Sequence, residues 1–372
     1  MNRSHIIRMY PTKEQERRLL NTAGAARYAY NWGLATWKEM YVAWMEDHSK
    51  EKPSAFKLSK LWTATKPEWA KETAFCAQQN AIYNLGAAFQ NLWRGIGKYP
   101  TFHKKGRKDS FTINNDKAVL AKRYIQLPCI GMVRLTEELR FGGRITSYTV
   151  IHYAGQWHVS VNVELPDVVP TCTNSTSVVG IDVGLSHAAV ASDGTVCDVP
   201  ERLKELDAKL KKTQKAIDRK QKGSKNRAKA LLKKQRIQNK MNNIRKDVTH
   251  KFTTAITKSH GIVVTEDLHI QEMKDKAQFK SLRRSFNASL MGMILQQLKY
   301  KALEHHTVDR FFPSTKKCSN CGAVKPHIDL SERVYKCEHC GAVIDRDLNA
   351  AINLKNAGPV RPEAPVDSVD IR

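Results

Sequence analysis

No run in these 372 residues approaches the roughly 18 consecutive apolar residues of a membrane-spanning helix. The opening stretch, Met1 to Pro11, has no apolar signal core, so secreted and membrane-anchored readings lack their main requirement. Acids are also scarce: Asp and Glu number 36 against 62 Lys and Arg, a formal charge of +26. A surplus of that size repels itself unless a polyanion is the partner. Nucleic acid is favoured over an anionic membrane, since no anchor is found. Cysteine is sparse outside two close pairs. Cys76, Cys129, Cys172 and Cys197 are scattered, as expected of small buried or partly buried side chains. Nothing in that usage points to an oxidising compartment, and a cytoplasmic protein is the expectation. There is no long internal repeat. The chain is long enough for two or three domains with cores of their own.

The one doubled feature is Cys318-Ser-Asn-Cys321-Gly-Ala and Cys337-Glu-His-Cys340-Gly-Ala, with fifteen residues between the pairs. Each Cys-x-x-Cys bend aims two sulfurs at one point, so the spacing fits a structural Zn²⁺ held by Cys318, Cys321, Cys337 and Cys340. Gly322 and Gly341 supply the freedom such bends need. Two disulfides are the competing reading. Directly after the second pair comes Asp345-Arg-Asp347-Leu-Asn349-Ala-Ala351, so the ribbon looks inserted just before a carboxylate that a larger fold needs.

Along the chain, residues 1–10 predict one strand ended by Pro11. From Thr12 to about Trp93 the pattern is helical, opened by a Thr12/Gln15 capping box. Trp32, Trp37, Tyr41, Trp44, Trp62, Trp69 and Trp93 make this half aromatic; most belong to the core, and a minority is available to stack on a base. Between Lys98 and Phe111, Lys104, Lys105, Arg107 and Lys108 alternate with Phe102 and Phe111, as a nucleic-acid groove requires. A solvated basic loop is the bland alternative. Short β-type runs follow to Leu165, with a hairpin over 148–165, and Pro166–Ser177 reads as a linker.

Val178–Gly184 is an apolar strand carrying one acid, Asp182. Residues 200–259 predict two long helices with a turn near Gly223. Their faces carry Lys211, Lys212, Lys215, Arg219, Lys222, Arg227, Lys233 and Arg236 with few acids, and a solvated face normally mixes signs. Phosphate contact is the better reading. Gly261–Glu266 is a second apolar strand ending in an acid, 279–301 is helical, and Val308–Phe311 is a short strand. Three acids therefore stand at comparable places: Asp182, Glu266, and Asp345 or Asp347. A fold that gathers them makes a cluster unfavourable as bare like charges but suited to hard divalent cations. Two Mg²⁺ ions about 3.5–4 Å apart serve in-line phosphodiester displacement. Joined to the polyanion signal, this favours a nuclease over a pure binder.

Gly180-Ile-Asp182-Val-Gly184, Val264-Thr-Glu266-Asp-Leu268 and Asp345-Arg-Asp347-Leu-Asn349-Ala-Ala351 resemble the three motifs of a RuvC-type, RNase H-like nuclease. With Phe312-Pro-Ser-Thr-Lys-Lys-Cys318, the two knuckles, Tyr10-Pro-Thr-Lys-Glu-Gln15 and Arg27-Tyr-Ala-Tyr-Asn31, nearly the whole chain is similar to the TnpB family of insertion sequences, akin to ancestors of type V CRISPR effectors. The resemblance implies an RNA-guided DNA endonuclease, working with a guide RNA from the element's end on double-stranded DNA that carries a short flanking motif. It implies one chain per complex, nucleoid-associated when on DNA. The fold class implied is α+β and multidomain. A barrel-like wedge domain (1–10 and 96–168) holds an inserted helical recognition lobe (11–95). A linker (169–177) leads to an RNase H-like (RuvC) α/β nuclease domain (178–317 and 341–357). That domain carries an inserted zinc ribbon (318–340), and a disordered tail (358–372) follows. The resemblance makes Asp182, Glu266 and Asp347 the catalytic, Mg²⁺-binding acids, leaving Asp345 to cap the final helix. The basic hairpin would lie along the RNA–DNA duplex. Only Leu303–Thr307 separates Ala302 from Val308, fewer residues than the family carries there, so either the helix stops early or the next strand is curtailed. The alternatives are a guide-directed repressor that does not cut, a transposase or its accessory protein, and a junction resolvase. No His-hydrophobe-His pair with a placed Tyr supports a transposase.

Overall fold

The computed structural model describes residues 2–106, 109–166, 171–329 and 331–359. The chain separates into two compact units, 1–168 and 169–372. Arg107 and Lys108, and the tail from residue 360, lie outside the described residues.

In the first unit, strand β1 (Asn2–Tyr10) stops at Pro11 and Thr12 opens helix α1 (Lys13–Glu46). The capping box is complete: the Gln15 N–H donates to the Thr12 hydroxyl at 3.3 Å, and the Thr12 N–H donates to the Gln15 side chain at 3.0 Å. Helices α2 (Ala55–Thr65), α3 (Glu68–Lys71) and α4 (Phe75–Trp93) follow. Leu34, Trp37, Leu58, Trp62, Ile82, Leu85 and Phe89 form a core of helices alone. Six strands then join β1: β2 (Asp109–Asn114), β3 (Val119–Ala121), β4 (Tyr124–Leu127), β5 (Gly131–Leu135), β6 (Arg144–Tyr153) and β7 (Gln156–Glu164). The antiparallel order is β2-β6-β7-β1-β5-β4-β3. Val159, Val161 and Val163 alternate inward and are fully buried, as the period-2 pattern predicts. They share a core with Leu19, Ala23 and Ala26 of α1 and Ala77 of α4. Ala154 and Gly155 close the β6–β7 hairpin with φ of 55° and 73°, the left-handed pair of a type I′ turn. Among the described residues the ladder is open, with β2 and the three-residue β3 at its edges; hydrogen bonding does not close it into a barrel. Cys129, expected to be at least partly buried, is exposed in the β4–β5 turn.

The second unit is built on a five-stranded sheet of order β10-β9-β8-β11-β12. Strands β8 (Val178–Asp182), β11 (Ile262–Glu266) and β12 (Glu304–Val308) run parallel, while β9 (Ala189–Ala191) and β10 (Val196–Cys197) are antiparallel. Helices α5 (Glu201–Asp218) and α6 (Lys225–Ser259) form the predicted hairpin. Helices α7 (Ile270–Lys276), α8 (Lys280–Ala288) and α9 (Met291–Lys301) lead into β12. Two expectations are corrected here. The helix over 279–301 is two helices, because Ser289 is extended. The strand expected at Val308–Phe311 lies four residues earlier. Glu304-His-His-Thr-Val308 has no fully buried position, so it shows no apolar alternation to read. Across the short segment α9 ends at Lys301 and β12 makes five pairs with β11. The ribbon supplies β13 (Val334–Lys336) and β14 (Val343–Asp345), and α10 (Arg346–Ala357) follows at once.

The helix α10 lies backbone-to-backbone on β8. A β-carbon at Gly180 would fall 2.0 Å from the Ala351 carbonyl oxygen and 2.3 Å from the Lys355 nitrogen. Gly180→Ala is therefore expected to cost about 3 kcal/mol or more, read as a drop in denaturation midpoint. A wild-type midpoint would contradict this close approach.

Candidate active site

The packing of α10 on β8 has a direction. Just past the helix end, Gly358 sits beside Val178, the first residue of β8, and Val264, in the middle of β11. One turn inward, Lys355 and Ala351 cover Gly180. The helix therefore runs antiparallel to the strand, and a further turn places Asp347 over Asp182, two residues along from Gly180 on the same face. Next to them, Thr265 pairs with Ile181 across the β8–β11 ladder, which sets Glu266 at the neighbouring strand end. Three acids distant in sequence thus lie near one another at the carboxyl ends of the parallel strands, close enough for Glu266 and Asp347 to act on the Asp182 charge.

The electrostatics carry the same signature. The Asp182 carboxyl is pushed up to about 7, first by burial, then by Glu266 and Asp347; Arg346 acts in the opposite sense. Burial also raises Glu266, against the pull of a hydrogen bond donated by the Ser314 hydroxyl. Asp345 is occupied differently: its Oδ1 accepts the N–H groups of Asp347 and Leu348, both at 3.0 Å, as an N-cap. Arg346 pairs with Asp347 at 3.5 Å, both largely buried. Oxygen donors of this kind, with repulsion among them to relieve, fit a hard divalent cation. Among the described residues, however, only the four cysteines place three or more ligand atoms within 4.8 Å of one another.

At the ribbon, the Cys318 and Cys340 sulfurs are 3.7 Å apart, and those of Cys321 and Cys337 are 3.6 Å apart. Four sulfurs about 2.3 Å from one zinc would stand about 3.8 Å from each other, and a disulfide would need about 2.05 Å. The residues fit zinc. Gly322 and Gly341 take φ of 80° and 71°, where the bends require it. The Ala342 amide, followed by the Asn320 side chain, lowers the Cys340 thiol, while Cys321, against the Ala323 amide, is raised by burial and by the neighbouring thiols.

What ties ribbon to acids was not legible beforehand. Asn349 and Asn353, four apart on α10, are buried. Asn349 donates to the Lys317 carbonyl at 2.8 Å and accepts from the Ser319 N–H at 2.9 Å. Asn353 donates to the carbonyls of Ser314 and Lys317 at 2.8 and 2.6 Å. The ribbon's stem is thus bolted to the helix carrying Asp347, and the same stem presents Ser314 to Glu266. The available signal was two amides at i,i+4 on an otherwise apolar helix face. Ser314→Ala is expected to weaken divalent-metal affinity about 10–100-fold with little loss of fold, measured by titrating the metal against Tm. An unchanged affinity would make Ser314 a bystander.

The basic residues fall into separate settings. Lys212 and Lys233, with Lys220 and Lys229, line a groove of about 460 Å³ between α5 and α6, floored by Ala216 and Ala230. Lys215, Arg219, Lys222 and Arg236 are exposed on the same hairpin, and Lys211 pairs with Asp207 at 2.7 Å. Arg227 departs from the expectation: its guanidinium donates to the carbonyls of Ile217 and Lys220 at 2.8 and 3.0 Å, closing the end of α5. In the first unit Lys104 and Lys105 are exposed. Lys105 lines a cavity of about 830 Å³ with Arg17, Arg18, Arg27, Tyr28 and Trp69. Phe111, expected beside them, is buried in the sheet core.

Comparison with known proteins follows the same outline. A family described as "Probable transposase" matches residues 158–277, "Cas12f1-like, TNB domain" matches 292–354, and "Helix-turn-helix domain" matches 1–43. That last stretch is here a strand and a single long helix. A protein of Streptomyces pristinaespiralis named "Putative RNA-guided DNA endonuclease" is 32% identical, over 96% of this chain and 90% of its own. "Putative RNA-guided DNA endonuclease InsQ" of Escherichia coli K12 is 29% identical over 95% and 91%. A solved structure described as a Cas12f1–sgRNA–target DNA complex aligns with a TM-score of 0.55 at 15% identity. That alignment covers 92% of this chain and 82% of that one, a likeness of fold. These matches define a class of transposon-associated proteins, and in this chain the α/β unit carries a four-cysteine ribbon. The chain belongs to the TnpB family within it.

Proposed function

We propose that this protein is an RNA-guided DNA endonuclease of an insertion sequence, cutting DNA beside a short flanking motif with Asp182, Glu266 and Asp347 as its metal-binding acids. The observation that carries the reading is the antiparallel seat of α10 on β8, which brings Asp347 over Asp182 beside Glu266. The names of two relatives, from Streptomyces pristinaespiralis and Escherichia coli, agree with it. Bound Mg²⁺ would supply activation of water and stabilisation of the leaving oxygen. Asp182 and Glu266 hold their carboxylates at rigid strand ends, Ser314 orients Glu266, and the α10 cap fixes where Asp347 points. Zinc held by Cys318, Cys321, Cys337 and Cys340 would fix the ribbon stem to which Asn349 and Asn353 of that helix are bonded. The groove between α5 and α6 follows the sugar-phosphate backbone of the guide–target duplex, while base pairing carries the sequence information. The first unit takes the wedge and recognition roles, and one chain serves each complex in the cytoplasm.

The test is to isolate the protein with its copurifying RNA, sequence that RNA, and present a plasmid bearing a matched site beside randomised flanks. Mg²⁺-dependent linearisation that requires the RNA is expected. Binding without cutting would replace the nuclease with a repressor, and strand joining without RNA would restore the transposase.

A further inference from the structure

Residues 98–106 form neither helix nor strand, yet they are firmly held. The His103 ring stacks on Tyr30 at 3.9 Å, nearly parallel. The His103 backbone N–H donates to the Asn31 side-chain oxygen at 2.8 Å, and the His103 backbone carbonyl accepts from the Asn31 amide at 3.0 Å. Behind the segment, Trp37 and Phe89 are buried and stacked at 4.4 Å, and Tyr99 meets Phe89 edge-on at 5.7 Å. Despite this support, Tyr99 and Phe102 are left 51% and 52% exposed. One ammonium, that of Lys38, lies 5.6 Å from the first ring and 5.3 Å from the second. Lys98, Lys104 and Lys105 are exposed around them, and the sequence from Thr73 to Lys108 contains no acid.

Rings fixed in place, facing solvent and rimmed by cations suit stacked bases rather than an apolar protein face. A duplex hides the faces of its bases. The occupant must therefore be unpaired. We infer that Tyr99 and Phe102, with Lys38 between them, form a stacking platform for the DNA strand displaced when the guide pairs with its target. This rests on the RNA-guided reading above. That strand differs in sequence at every target, and flat rings with ammonium groups accept any base. A guide RNA of fixed fold would instead be held through shape and specific hydrogen bonds, which the Phe102 ring cannot supply.

The guide-loaded full chain is titrated, by fluorescence anisotropy, with single-stranded DNA unrelated to the guide and with an abasic strand of equal length. The base-bearing strand is expected to bind on the order of 10–100-fold tighter. The double substitution Tyr99→Ala/Phe102→Ala should erase that preference and leave the salt dependence unchanged. The exchange Tyr99→Phe/Phe102→Tyr should keep it, which separates stacking from misfolding. Lys104→Ala/Lys105→Ala should weaken both strands alike and flatten the salt slope. In a target complex, 2-aminopurine in the displaced strand should be quenched by the wild type and not by the double alanine variant. Equal binding of both strands, or quenching confined to the guide RNA, would overturn the platform. Intact RNA-dependent plasmid cutting beside such a result would leave the nuclease reading standing.

Discussion

Asp182→Asn is expected to lower cutting by about 10³-fold and, in the absence of divalent metal, to make the protein more stable at pH 8. The first effect follows because a lost carboxylate removes several kcal/mol of charge stabilisation at the reacting phosphate, and each 1.36 kcal/mol is tenfold in rate. The second follows from the sign of the shift. A carboxyl moved from 3.8 to about 7 binds its proton more tightly folded than unfolded. Its penalty is absent below about pH 4, grows as pH rises toward 7, and levels off above at up to about 4 kcal/mol. The variant's advantage should track that window and shrink when Mg²⁺ is added. Guanidinium unfolding across pH, with and without metal, reads it directly. RNA binding should be unaffected. A variant that cuts normally, or one destabilised at pH 8, would make Asp182 a structural acid and remove the basis for the site.

Cys318→Ser should act on the same site from the other side. Structural zinc contributes on the order of 10–16 kcal/mol to the folding of small ribbons, so three thiolates should hold it poorly. Cys318 directly follows Lys317, whose carbonyl receives both Asn349 and Asn353. Loss of the ribbon should loosen Ser314 from Glu266 and free the first turns of α10. Zinc content should fall from about one per chain, hydrogen exchange should rise over 314–319 and 346–353, and cutting should drop without recovery in excess Mg²⁺. A variant with full zinc would contradict the four-thiolate site, and one with no zinc but normal cutting would uncouple ribbon from acids.

The legible parts share a cause: each was encoded over a few neighbouring residues. The capping box at Thr12, the hairpin valines, the paired knuckles and the two basic helices are local patterns, and they stand where spacing placed them. The misplaced parts lacked a local mark. Strand β12 is an edge with no buried face, so its polar residues concealed it. Arg227 looked like one more surface cation, yet its position in space makes it a cap for α5.

The choice between Asp345 and Asp347 illustrates the boundary. Helical phase leaves both open, and a family resemblance prefers the second. In the folded chain Asp345 spends its oxygen on two backbone amides, while Asp347 lies one turn beyond the contact at Gly180. Spacing and charge alone pointed to a polyanion partner and gave a four-thiol cluster, since both depend on residue type and short-range geometry. Which acids converge, what holds them, and which rings remain open to solvent followed only from packing, because such contacts join positions that the chain keeps far apart.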